Sequence, residues 1–237
     1  MKIVYRCFLQ MMRTIRYDMM LFAVCLGPVL CGMLIKFGIP FLESFLCIQL
    51  QKKTFLAPYY GLLDVFFAMM ASVLFCFAAA MVVLEETDDK VIRYLFVTGL
   101  GKKGYLISRF GIPSGIAFVF TLILLRIFSL TKPGITELLL LGLSGTCMGL
   151  IIALMVVVFS TNKLEGMAIT KLSTVIMLGG VAPYFVEHPV KYLLAPLSSF
   201  WMGKGMLEDS LWSFLISLMV SVIWIVVLFI KFQKKIA

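Results

Sequence analysis

Six apolar runs, each long enough to cross a lipid bilayer, leave this chain few ways to fold. A helix needs ~20 predominantly apolar residues to cover ~30 Å of hydrocarbon. Runs of that kind lie at 19–41, 58–84, 105–130, 135–159, 167–186 and 211–230. They are continuous and lack the period-two alternation of barrel strands, so they predict helices. Composition agrees. Of the 237 residues, 62% are hydrophobic and 14% charged, against ~45–50% and ~25% in soluble domains. A soluble core of this size cannot hide that excess, so lipid must cover part of it. The expected fold is a single all-α integral membrane domain, residues 1–237, with six transmembrane helices.

The net charge is +9. The basic residues sit mainly at the edges of the apolar runs, where they orient spans and touch anionic headgroups. That placement argues for membrane lipids as partners and against nucleic acid. Of the 21 Lys and Arg, seven fall on one side (Lys36, Lys52, Lys53, Arg126, Lys132, Lys191 and Lys204) and the other 14 on the side of the two termini. The richer side is cytoplasmic by the positive-inside rule. Both termini are therefore expected inside, in a cell membrane of the bacterial plasma-membrane type. The first apolar run has no small-residue cleavage site after it and is expected to be retained as a span.

The segments between the runs are unequal. Over residues 1–17, Val4, Phe8, Met11, Met12 and Ile15 share one helical face and Arg6, Gln10 and Arg13 another. Such a helix is expected to lie in the membrane interface with its apolar face in lipid. Residues 85–104 form the most polar stretch, a loop of EETDDKVIRYLFVTGLGKKG. Within it Glu85, Glu86, Asp88 and Asp89 are expected to open a short helix, because carboxylates favour the positive end of a helix dipole. Val91, Ile92, Leu95 and Phe96 then form an apolar stripe on that helix, since positions three and four apart share a face. A stripe of that kind in a polar loop needs something to dock on. Residues 187–210 are too apolar for a plain loop, and Tyr192, Phe200 and Trp201 suit an interfacial or re-entrant segment.

Several chemistries fail on spacing. Two adjacent carboxylates suggest the EExxxR pattern of membrane proteases, but the Arg position holds Lys90, and the only histidine is His188 in an outer segment. GLGKKG does not fit a phosphate-binding loop, which needs Gly, four residues, then Gly-Lys-Ser/Thr. Ser114 in GIPSG has the wrong spacing for a GxSxG nucleophile. The six cysteines include no CxxC pair, so neither a disulfide framework nor a metal site is expected. No catalytic, metal-binding or cofactor-binding residue is expected in this chain.

Structural candidates remain. Gly145 and Gly149 form a GxxxG pair that permits close helix contact, within one bundle or between chains. Gly179, Gly180 and Pro183 predict a kink, a possible hinge, because Pro183 removes one helical hydrogen bond. Lys36, Asp64, Arg126 and Lys171 lie near span ends, where long stems let charges reach the interface. At the bilayer centre each would cost ~2.5–3.5 kcal/mol. Asp64 has the shortest stem and is the candidate for lining a polar cavity.

Together the loops resemble those of the permease subunits of type-2 ATP-binding-cassette exporters, over most of the chain. LEETDDKVIRYLFVTGLGKKGYLISR is similar to that family's loop after the second span, with Thr98-Gly99-Leu100 where the family has Thr-Pro-Leu. STNKLEGMAITKL resembles its Asn-Lys-x-Glu-Gly stretch entering the fifth span. APLSSFW resembles its outer segment before the last span. The resemblance implies an N-terminal elbow helix and a coupling helix over 86–98 that contacts an ATPase through Glu85, Glu86, Val91, Ile92, Tyr94, Leu95, Phe96 and Thr98. It also implies a second copy of the chain or a homologous permease, and separate ATPase subunits that hold the ATP and magnesium. Closure of the ATPases would pull on the coupling helices and rearrange a cavity between the permeases. Two readings compete: a secondary transporter or channel working alone, and a membrane immunity or scaffold protein that moves nothing.

Overall fold

The computed structural model describes residues 2–50, 54, 56–97 and 101–235, and of Lys2, Leu50, Arg93, Phe96 and Val97 the backbone alone. Among the described residues there is no strand. Six helices are long and apolar enough to span a membrane: α2 (Met19–Gln49), α3 (Ala57–Asp88), α5 (Gly101–Phe128), α6 (Ile135–Phe159), α7 (Lys163–Phe185) and α9 (Leu211–Lys235). Three shorter α-helices flank them: α1 (Lys2–Tyr17), α4 (Val91–Val97) and α8 (Ser198–Leu207). This is a multi-pass membrane protein, and a helical one for a physical reason. In lipid every backbone N–H and C=O must be satisfied within the protein, and a helix does so within its own segment.

The bundle has a centre and a ring. In the most apolar stretch of each span, 83% of residues are buried in α3 and 72% in α6, against 17–33% in the other four. The central contact depends on the GxxxG pair. A Cβ on Gly145 would lie 2.8 Å from the carbonyl oxygen of Ala68, and one on Gly149 2.7 Å from that of Ser72. Without side chains at these two positions the helix backbones can touch, which is how membrane helices gain packing without a hydrophobic drive between them. The pair thus works inside the bundle. Ser72 Oγ and Thr121 Oγ1, 2.9 Å apart, tie α3 to α5 at the same depth.

Helix ends depart from the sequence-based boundaries in ways that have causes. The run ending at 41 continues to Gln49 because Glu43 is satisfied, by the Ala57 N–H at 3.2 Å and the Tyr60 hydroxyl. A π-helical turn, Leu34–Gly38, interrupts α2 midway. Glu85, Glu86 and Asp88 do not open the short helix. They end α3, which stops at Asp88, and the chain reverses through Lys90 in the left-handed region (φ 58°). Carboxylates at a helix C-terminus oppose the dipole, and here basic side chains from distant segments meet two of them.

The N-terminal helix also corrects its expectation. Cys7, Phe8, Met11 and Ile15 are buried against the bundle instead of facing lipid, while Ile3, Tyr5, Leu9 and Met12 remain exposed. In α7 the kink is a 3₁₀ stretch, Val175–Val181, followed by a short α-turn carrying Pro183. A Cβ on Gly203 would collide with the Gly180 carbonyl, so both glycines serve the close seating of α8 on α7.

Candidate functional site

At the end of the bundle that carries both termini, Glu86 is the hub of a buried cluster. Arg109 reaches it with two groups: Nε donates to Oε2 at 3.0 Å, and Nη2 forms an ion pair with Oε1. The Tyr105 hydroxyl donates to Oε2 at 2.7 Å. The third nitrogen, Nη1, donates to the Cys7 carbonyl at 2.8 Å, so one guanidinium joins α1, α3 and α5. Arg109 is 0% exposed. It sits in a π-helical turn, Ile107–Gly111, within α5. Such a turn widens the helix locally and is common at functional sites. An arginine fork matched to one carboxylate is the geometry that holds a buried charge best.

The short helix α4 rests on this cluster. Ile92 (5% exposed) packs with Cys7 and Tyr105, and Val4 and Leu95 lean on the same group. The expected four-residue stripe is therefore split. Ile92 and Leu95 hold α4 to α1 and α5, and the outward side presents Val91 (39% exposed) and Tyr94 (76% exposed). The side chain of Phe96, and Thr98 altogether, lie outside the described residues.

Two further lysines close the same end. Lys163 lies 3.0 Å from Glu85 and 3.6 Å from Asp18, linking the start of α7 to the end of α3 and the start of α2. Lys235 donates to the Val157 and Val158 carbonyls at 2.7 and 3.2 Å and to that of Ser160, covering the free carbonyls at the end of α6. Asn162 caps α7 by accepting from the Glu165 N–H at 2.9 Å. Glu165 returns to the N–H and hydroxyl of Thr161, each at 2.7 Å.

Asp64 is buried against a turn. It is 0% exposed and its carboxylate accepts from the Leu130 N–H (2.9 Å), the Thr131 N–H (2.9 Å) and the Thr131 hydroxyl (2.6 Å). It fixes the turn between α5 and α6 at the opposite end of the bundle. Lys36 there donates to the Ile127 carbonyl at 2.7 Å. Gly179 and Gly180 face α8, where the Ser199 hydroxyl donates to the Ile176 carbonyl, at 2.6 Å, in the 3₁₀ stretch. Trp201 and Trp224 donate to the carbonyls of Ala195 and Pro196 at 2.8 and 2.9 Å, pinning the outer segment.

Sequence reasoning missed Arg109. The signal was present, because an ionisable residue inside an apolar run is a functional or structural candidate by default. Arg109 stands five positions into the run starting at 105, and only span-edge charges were singled out. Among the described residues no group of three or more His, Cys, Asp or Glu is placed to hold a metal ion.

Comparison with protein families finds one described as "Fluoroquinolones export permease protein Rv2686c-like", matching residues 11–230. Comparisons with curated proteins and with solved structures find no match.

Proposed function

The chain belongs to the Rv2686c-like family of fluoroquinolone export permeases, and on that premise we propose that it is the membrane subunit of an ATP-driven exporter. In this reading two permeases, identical or homologous, form the pathway, and separate ATPase subunits bind ATP and magnesium. The termini face the cytoplasm in this reading, which the distribution of basic residues supports. The cargo is a fluoroquinolone or an amphiphile of similar size and aromatic character. ATP hydrolysis belongs to the partner, and this chain converts the partner's motion into movement of its spans.

One observation carries the reading: α4 is a short helix outside the spans, held firmly from behind and apolar in front. Val91 and Tyr94 face outward, and Ile92 packs on Cys7 of α1 and Tyr105 of α5, which Arg109 and Glu86 tie to α3. A push on such a helix reaches three elements at once. Docking removes apolar surface from water at ~25 cal/mol per Å², and Tyr94 brings a large ring to that contact.

The test is the double substitution Val91→Asp with Tyr94→Asp. It places two charges on the outward side and leaves Ile92 and the buried pair untouched. Purified from its own membranes, the tagged wild-type chain should carry a P-loop ATPase and hydrolyse ATP. The double variant should reach the membrane at normal levels but lose the ATPase, with drug export lost alongside. If the variant keeps its ATPase, or the purified chain alone moves a fluoroquinolone across vesicles without ATP, the reading fails.

A further inference from the structure

Against α1 lies a cavity of about 430 Å³, within the ~300–1,000 Å³ range of small-molecule sites. Its walls are apolar. Phe22 of α2, Phe75 and Ala79 of α3 and Ile116 of α5 face the inner side of α1 across it. The space exists because α3 presents small side chains here, Ala78 and Ala79, where a larger residue would fill it. On the α1 wall stand two cations, Arg13 and Arg16. Three positions apart on a helix, they share a face.

These two guanidiniums differ from Arg109, Lys163 and Lys235 at the same end. Arg109 is saturated by Glu86 and Cys7, Lys163 by Glu85 and Asp18, and Lys235 by three carbonyls. No hydrogen bond or ion pair among the described residues engages Arg13 or Arg16, and both are exposed. An apolar chamber with two free guanidiniums at its edge matches an acidic amphiphile. A phosphate or carboxylate suits the fork geometry, and an apolar chain or ring suits the chamber.

Two acidic amphiphiles meet that description: a phospholipid of the surrounding leaflet and an exported aromatic acid. The rim favours the lipid. Leu9, Met12 and Phe22 line the cavity and are themselves 40–45% exposed on the apolar flank of the protein, so the chamber is continuous with the lipid-facing surface. The arginines lie on an amphipathic helix, at the level where basic side chains meet headgroups. We propose that this cavity holds an acyl chain of an acidic glycerophospholipid, with its phosphate clasped by Arg13 and Arg16. The bound lipid fills the gap between α1 and the bundle and fastens that helix against α2, α3 and α5. This site does not depend on the ATPase reading.

Native mass spectrometry of the detergent-purified full chain, titrated with phosphatidylglycerol or phosphatidylcholine of identical acyl chains, tests the site. The wild type should retain one phosphatidylglycerol far more tightly than phosphatidylcholine. The variant carrying Arg13→Gln and Arg16→Gln should lose that preference by about 30-fold, with phosphatidylcholine binding unchanged. Ile116→Trp, which intrudes on the chamber at an exposed position, should weaken both lipids. Equal binding of the two lipids by the wild type, or an undiminished preference in the arginine variant, overturns the proposal. Ciprofloxacin binding that both variants abolish while lipid binding survives would assign the cavity to the exported compound instead.

Discussion

The two ends of the bundle hold their charges differently. At the end with the termini, ion pairs join helices far apart in the chain, Arg109 with Glu86 and Lys163 with Glu85 and Asp18, beside backbone contacts made by Arg109, Lys235 and Glu165. At the opposite end charged side chains meet backbone. Asp64 takes the Leu130 and Thr131 N–H groups, Glu43 that of Ala57, and Glu137 that of Gly134, while Lys36 takes a carbonyl. Among the described residues the one ion pair there, Lys204 with Glu208, lies within a single turn. Backbone capping fixes the shape of a turn and leaves little alternative. Pairs between mobile side chains can part and re-form as helices shift. The molecule therefore has an end whose turns are set by backbone caps and an end whose helices are also joined by ion pairs, and α4 sits at the ion-paired one.

Breaking the buried pair should have the largest effect. Arg109→Met leaves Glu86 charged and buried, which costs ~3–5 kcal/mol, and should lower the melting temperature of the purified protein sharply. Adding Glu86→Gln should recover much of the loss, since the uncompensated charge is then gone. A melting temperature untouched by Arg109→Met would show that this pair does not anchor the helices.

A smaller loss is expected at the backbone-capped end. Asp64→Ala strips the acceptor from two backbone N–H groups and a hydroxyl, which costs ~1–3 kcal/mol. Raising the salt concentration should leave this difference unchanged, because the partners are uncharged. A difference that disappears in high salt would place Asp64 with the ionic contacts and erase the contrast between the ends.

The smallest effect belongs to Lys163→Ala. Its pairs are partly exposed, and such pairs contribute ~0–1 kcal/mol. Whatever difference unfolding measurements find in low salt should vanish near 1 M, where the screening length falls to ~3 Å. A loss as large as that of Arg109→Met would mean that the Lys163 contacts are more enclosed than their exposure indicates.

The six spans and the amphipathic first helix were legible because they depend on patterns within one segment. What was not legible depends on partners far away in the chain. Nothing near Glu85 and Glu86 says that they end a helix; Lys163 and Arg109 do, from later spans. Which flank of α4 turns inward is decided by Cys7 and Tyr105, not by its own heptapeptide. Asp64 looked like a cavity residue because a short acidic stem in an apolar run is costly alone, and its three donors come from a turn more than sixty residues on. The family-like motifs have local physical reasons too. In STNKLEG, Asn162 and Glu165 cap α7 and Gly166 seats it against Leu84. In APLSSFW, two carbonyls receive the tryptophans and Ser199 receives none but donates to Ile176. These motifs fold the permease, and transport specificity has to be sought elsewhere.

The seating of Gly145 and Gly149 on the backbone of α3 also sets an order of assembly in time. Their groove on α3 is made roughly 80 residues before they are, which at ~5–20 residues per second is a delay of about 4–16 s. During that interval α3 has only the helices made before α6, and lipid, for company. Glu86 and Arg109 are separated by 23 positions, so the α3–α5 hairpin can lock almost as soon as it is inserted. On this order the α3–α5 hairpin waits in the membrane for α6, and Lys235 reaches the end of α6 only once α9 is made.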